Sequence, residues 1–240
     1  MKYFPEEKYN MLCFVHIERA AGTTFHGILR NNFLNYLTLV PWNPWTNEED
    51  STFKKEDLRW LIRFTGVPKG IGGHTVRSYN GYEEVVPDVK YVTFLREPIN
   101  RWVAHFQYQN DALNKNWTIE EFLGEKRLNN FMTKRIAGCY DVEKAKRFLS
   151  QHYLMVGLTE RFDESLLIFK KRLGIHNFNI CYEKKNVAKR NELKEKIMGD
   201  EDVIKEIQKH NSMDMELYDY VKNVLFPSQI KDYETLSKMI

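Results

Sequence analysis

Read for its apolar and polar positions, the chain alternates short buried runs with amphipathic stretches. Leu12 to Ile17 is apolar except for His16, which is the length and character of a strand covered on both faces. After Gly22, the residues Phe25, Ile28, Leu29 and Phe33 recur on one helical face. The prolines and polar residues of VPWNPWTNEEDSTF predict a loop, and Lys55 to Phe64 predicts a short helix. KGIGGHTV predicts a short strand or turn ending near His74, and KYVTFL a second buried strand. Pro98 then suits the first turn of a helix whose apolar stripe is Ile99, Trp102, Val103 and Phe106. YLMVGL predicts a further strand, followed by a helix marked by Phe162, Leu166, Phe169 and Leu173. From about residue 191 the pattern is helical and charged, with apolar spacing at Met213, Leu217, Tyr220 and Val224.

Strands alternating with helices predict an α/β fold, a P-loop-like parallel β-sheet flanked by helices with a mostly helical C-terminal part. The expectation is a single domain over 1–240, its helical annex beginning near residue 191. In such sheets ligands bind beyond the C-terminal ends of the strands. Two polar stretches fall there, Arg19 to Thr24 after the first strand and Arg96 to Arg101 after YVTFL.

Composition narrows the partners. The 240 residues are 42% hydrophobic and 29% charged, with a net charge of +3. That balance permits an anionic ligand without demanding nucleic acid. Cys13, Cys139 and Cys181 are far apart and form no CxxC pair, so they read as buried reduced thiols. The charged, proline-containing MKYFPEEKYN does not read as a signal peptide, and no apolar run approaches the roughly 20 residues of a membrane span. The expected setting is soluble and cytoplasmic.

A turn entering a helix offers unpaired backbone N–H groups and a partial positive charge, which together bind phosphate or sulfate. In the first stretch Gly22 would let the backbone approach the ligand. Thr23 and Thr24 add hydroxyl donors or cap the helix, and Arg19 adds a planar fork of donors. Aligned on a Walker A loop, Ile17 takes the place of the first glycine and Thr23 that of the lysine. Both fail, which disfavours a nucleoside triphosphate with magnesium. In LREPINRW, Arg96 ends a strand and Arg101 lies in the first turns of the next helix, either as a second anion site or as partners for Glu97 and other carboxylates. Two anion sites on neighbouring strand ends suit a ligand with two separated phosphates.

Together these stretches resemble the sulfotransferase family that includes the heparan sulfate and chondroitin sulfate O-sulfotransferases. VHIERAAGTT stands where members carry a loop like hHIPKTGGTT, and LREPINRWVA where they carry LREPhxRhhS. GGHTV is similar to their glycine-histidine element, and NNFMTKRIAG to their Asn/Arg-rich segment before a glycine. AKRFLSQHYLMVGLTERFDESLLIFKKRLG resembles their last strand and helix, and IQKHNSMDMELYDYVKNVLF their closing helix. The likeness runs from about Leu12 to Phe226.

The resemblance implies 3′-phosphoadenosine 5′-phosphosulfate as co-substrate, no metal, and an acceptor hydroxyl, expected on a carbohydrate. Arg19 and the backbone of Ala21, Gly22, Thr23 and Thr24 would hold the 5′-phosphosulfate. Arg96, with Arg101 nearby, would hold the 3′-phosphate. His74 matches the family's base, and a histidine suits that task near neutral pH. Arg19 stands where the family has a lysine; it stabilises charge but does not readily release a proton. Ala104 replaces a serine, so one phosphate contact is missing, with Arg101 or His105 near enough to offset it. Arg135 would touch donor or acceptor.

Other residues read more quietly. His16 reads as a core histidine or a wall of the site, His26 as structural, and His105, His152, His176 and His210 lack partners at metal-ligand spacing. Lys184, Lys185, Lys189 and Arg190 form a solvated connector or a segment closing over the donor. Trp42 and Trp45 stack on sugar rings or plug a core gap. Two further readings remain beside the sulfotransferase. One is a non-catalytic nucleotide- or anion-binding protein of the same fold. The other is a P-loop-like small-molecule kinase, against which the missing Walker lysine argues.

Overall fold

The computed structural model describes residues 10–39, 52–183 and 192–238. Its centre is a parallel sheet of β1 (Met11–Val15), β2 (Tyr36–Thr38), β3 (Gly70–Gly73), β4 (Val89–Leu95) and β5 (Tyr153–Leu158), in the spatial order β2-β3-β1-β4-β5. β1 lies between β3 and β4, and all five of its residues are buried. This is what a continuous apolar run predicts for a strand with helices on both faces.

Helix α1 (Gly22–Asn32) follows β1, and α2 (Lys55–Thr65) precedes β3. α3 (Pro98–Asp111) follows β4, with Pro98 in its first turn. Three helices, α4 (Ile119–Gly124), α5 (Phe131–Ala137) and α6 (Val142–His152), lead to β5, and α7 (Phe162–Leu173) follows it. The C-terminal part is α8 (Glu192–Met198), α9 (Glu201–His210), α10 (Ser212–Tyr220) and α11 (Phe226–Lys238), the last two joined by a π turn. The main core surrounds the sheet, and a second apolar cluster gathers Trp102, Phe106, Phe122, Ile197 and Ile207 from α3, α4, α8 and α9.

Two contacts tie the C-terminal helices to the body. β5 is an edge strand, whose free backbone groups need cover. Gln229 of α11 supplies it, accepting from Val156 N–H at 3.0 Å and donating to Val156 C=O at 2.9 Å. Asp214 of α10, fully buried, accepts from Met132 N–H at 2.9 Å and from Thr133 N–H and hydroxyl at 2.8 Å each. It thereby satisfies the first donors of α5, which no residue of α5 itself caps. In return Asn130 Oδ1 accepts from Met213 N–H at 2.9 Å at the start of α10.

The thiols depart from expectation. Cys13 is buried in β1, where burial pushes its pKa up, but Cys139 and Cys181 are exposed, because both lie on the loops after α5 and α7.

Candidate functional site

The order β3-β1-β4 brings three strand ends together, and each continues into a residue singled out by the sequence: His74 after β3, the 16–21 turn after β1, and Arg96 after β4. The turn is pinned where it begins. Thr93 of β4 donates its hydroxyl to Val15 C=O at 2.8 Å, and His16 N–H donates to Gly73 C=O at 3.4 Å.

The turn has an unusual backbone. Arg19 and Ala21 both sit in the left-handed region, with φ of 67° and 58°. That conformation costs a non-glycine residue roughly 1–2 kcal/mol, and turns of this kind point successive N–H groups into one concavity. Ala21 caps α1 with no side-chain hydrogen bond, and the first bond into the helix is Phe25 N–H to Ala21 C=O at 3.1 Å. Thr23 and Thr24 therefore do not cap α1, and the orphan donors at its start face outward with the partial positive charge of the helix end.

Gly22 has a further part beside the one its sequence suggests. A Cβ there would lie 1.6 Å from His16 Nε2. The space is filled by the His16 ring rather than left for a ligand. His16 is accordingly a wall of the site, half-buried, and not a core histidine. Its ring stacks on His74 with centroids 4.1 Å apart. Its Nδ1 lies 3.2 Å from His26 Nε2, and His26 Nδ1 lies 2.7 Å from the Tyr36 hydroxyl. Burial first, then the neighbouring His74, His26, Arg135 and Arg19, hold the His16 pKa well below the usual histidine range. Burial, with Arg30 and His74, brings His26 down to about 3. Both rings are neutral at pH 7.

His74 is the more open histidine, its side chain 41% exposed. Its Nδ1 faces two groups that only accept, His16 C=O at 3.4 Å and Glu18 Oε1 at 3.6 Å. Nδ1 therefore carries the proton, and Nε2 keeps the lone pair that a base requires. Glu18 was not singled out by the sequence. Its Oε1 also accepts from Arg135 Nη2 at 2.7 Å, and its Oε2 is buried without a partner. Burial alone would raise the Glu18 pKa; Arg135, His74 and His105 together bring it below the usual value. The one sequence signal was an acidic residue in an otherwise apolar and basic turn.

Arg96 donates from Nη1 to Arg19 C=O at 3.1 Å, which joins the two expected anion sites. Burial depresses the Arg96 pKa, Glu160 opposes this, and Arg19 adds to it through like-charge repulsion. Arg19 lays its guanidinium over the Tyr108 ring at 4.9 Å and keeps a buried, unpartnered Nε. An anion bound beside Arg96 would offset both its burial and the repulsion from Arg19.

The rest of the second stretch departs from expectation. The first N–H groups of α3 are already taken, since Glu97 accepts from Ile99 N–H at 3.1 Å and Asn100 N–H at 2.7 Å. Arg101 is 1% exposed and sits behind the site, its Nη1 3.3 Å from His105 Nδ1 and its guanidinium over Phe131 at 4.8 Å. Arg96 alone of this pair lies at the mouth of the sheet.

Arg77, Tyr79, Phe131, Lys134 and Arg135 line a basic cleft, which Arg77 links to His74 by donating to its carbonyl. Arg77 is 1% exposed, donates from Nη1 to His74 C=O and Val76 C=O, and keeps an unpartnered Nη2. Among the described residues no carboxylate pairs with it. Arg135 lies over Phe131 at 4.5 Å with its Nε unpartnered. Trp42, Trp45 and the basic run Lys184, Lys185, Lys189 and Arg190 lie outside the described residues.

No protein-family model matches this sequence, and no curated protein matches it. Among solved structures the chain is similar to the crystal structure of a sulfotransferase from Alicyclobacillus acidocaldarius. The two are 14% identical over 84% of this chain and 94% of that one, with a TM-score of 0.39. A likeness that loose fixes no residue's role. Among the described residues no helix is long and apolar enough to cross a membrane.

Proposed function

We propose that the protein is a sulfotransferase that moves a sulfuryl group from 3′-phosphoadenosine 5′-phosphosulfate to an acceptor hydroxyl, expected on a carbohydrate. The observation that carries this reading is the meeting, on three adjacent strand ends, of a helix start without a side-chain cap, two arginines joined by a hydrogen bond, and a histidine whose Nε2 has no partner among the described residues. The chain's groups fit the donor: the turn is strained, its helix end lacks a cap, and the Arg19 Nε is orphaned. When bound, this donor supplies the sulfuryl group.

The backbone of Ala21, Gly22, Thr23 and Thr24, with Arg19, holds the 5′ end, and Arg96 the 3′-phosphate. His74 Nε2 takes the proton of the acceptor hydroxyl, and Glu18 beside Nδ1 steadies the imidazolium that results. A base so placed contributes about 10²–10⁴-fold. Arg19 and the N–H groups stabilise the negative charge that develops at the turn. Lys134, Arg77 and Arg135 border the acceptor side, which suits an acceptor carrying negative charge near its hydroxyl.

The test is donor-dependent sulfation across a panel of glycans and small alcohols, beside the His74→Gln variant. That variant is expected to lose about 10²–10⁴-fold in kcat while binding adenosine 3′,5′-bisphosphate as the wild type does. Transfer undiminished by the substitution removes His74 as the base. The replacement of the family's lysine by Arg19 favours a second reading, a binding protein without turnover. Tight binding of the bisphosphate with no transfer to any acceptor would establish it.

A further inference from the structure

His16 and His74 are stacked neighbours, yet their ring nitrogens meet opposite surroundings. For His74, both groups near Nδ1 are acceptors. For His16, Nδ1 faces His26 Nε2 at 3.2 Å, and the sense of that bond is set one residue further in. Tyr36 is buried, its hydroxyl lies over Gly72, and its partner is His26 Nδ1 at 2.7 Å. If His26 Nδ1 donated to it, the hydroxyl hydrogen would be left unpaired in the interior, and a buried unpaired donor is costly. The hydroxyl therefore donates to His26 Nδ1. A neutral His26 then carries its proton on Nε2 and donates to His16 Nδ1, and a neutral His16 carries its own proton on Nε2.

That Nε2 lies against Gly22, at the start of α1, with no partner among the described residues. We propose that Tyr36 and His26 are positioning residues that lock His16 as a neutral Nε2–H donor to the anion held by the α1 turn. The stacked pair is thereby divided, His16 donating and His74 accepting. His16 adds to the turn a hydrogen-bond donor that brings no charge and does not compete with His74 for the hydroxyl proton. Tyr36 and His26 act through His16 and touch no reacting atom.

This inference rests on the α1 turn being the anion site of the proposed function, so the experiment has two arms. The first uses the full chain with ¹⁵N-labelled histidine, without ligand. Long-range ¹⁵N–¹H correlation spectra report which nitrogen of each ring carries the proton. His16 is expected as the Nε2–H form, and Tyr36→Phe is expected to turn its signal into a mixture of the two forms. The second arm measures binding of adenosine 3′,5′-bisphosphate. Tyr36→Phe and His16→Ala are expected to weaken it about three- to tenfold, the loss of one hydrogen bond. His16→Gln places an amide donor near the Nε2 position and is expected to stay within about twofold of wild type, on the same accounting.

A His16 protonated on Nδ1 overturns the inference. So does a Tyr36→Phe variant with unchanged His16 signal and unchanged affinity, or His16→Gln as weak as His16→Ala. A wild-type chain that shows the expected His16 signal but does not bind the bisphosphate overturns the functional reading and leaves the tautomer assignment standing.

Discussion

Replacing Gly22 with alanine isolates the contact on which the site is built. The new Cβ would lie 1.6 Å from His16 Nε2, 2.0 Å from Cδ2 and 2.3 Å from Cε1. The helix backbone is continuous there, so the ring has to give way. The ring is held by the stack on His74 and the bond to His26. Displacing it loses the stacking, about 0.5–1.5 kcal/mol, and leaves a buried His26 donor unpaired, about 1–3 kcal/mol. Alanine offsets up to about 1 kcal/mol through its better helix propensity. The net destabilisation is then roughly 0.5–4.5 kcal/mol, a drop in Tm of about 2–4 °C for each kcal/mol in a chain of this size. The assay is thermal unfolding of wild type, Gly22→Ala, His16→Ala and the double variant. Because the clash needs both groups, the double variant is expected to be more stable than the two single costs predict by addition. Additive costs, or a Gly22→Ala chain as stable as wild type, refute the reasoning.

Other expectations follow from the charges. Glu18 has its folded pKa lowered by Arg135, His74 and His105 against the effect of burial. Near that pKa the unfolded chain binds more protons, so stability rises with pH there. The advantage of wild type over Glu18→Gln is expected in full above the ordinary glutamate range of about 4.3 and to shrink as pH falls below it; urea unfolding between pH 3 and 7 measures it, and a gap that widens in acid refutes the assignment. Asp214→Ala leaves the first N–H groups of α5 without an acceptor and removes the stronger of the two carboxylates, Asp214 and Glu18, that act on Arg101. A loss of about 3–5 kcal/mol is expected in the same assay, as for breaking a buried charged network, whereas Asp214→Asn should keep part of it.

Much of the frame was legible because it rests on periodicity. β1, β4 and β5 are apolar runs, and α1, α3 and α7 show one apolar face each, so burial alone dictates them. β2 was not foreseen: it has three residues, and two of them are only half-buried. α5 begins at Asn130 in a left-handed conformation and is completed by a carboxylate 82 residues downstream of Met132, which no local pattern announces. The candidate residues were legible one by one, not as an assembly. His74, Arg19 and Arg96 were singled out from turn chemistry and resemblance, and the fold brings them to adjacent strand ends. That Arg101 is buried was not legible, because strand-end spacing does not say which arginine turns inward. The capping role of Glu97, just before a proline in the first turn, was in reach of sequence reasoning. Tyr36 and Arg77 carried no signal, since their importance lies in what they touch across the sheet.

The reciprocal capping between Asn130 and Asp214 sets an order of events in the cell. Until the ribosome has released residue 214, the segment that presents Lys134 and Arg135 has no acceptor for its leading amides. The sheet can assemble during synthesis, but the cationic side of the cleft is completed only when the last part of the chain emerges. A product terminated before residue 214 would lack that completion, and with it the Leu217, Tyr218, Val221 and Phe226 side chains of the main core and the Gln229 cover of β5.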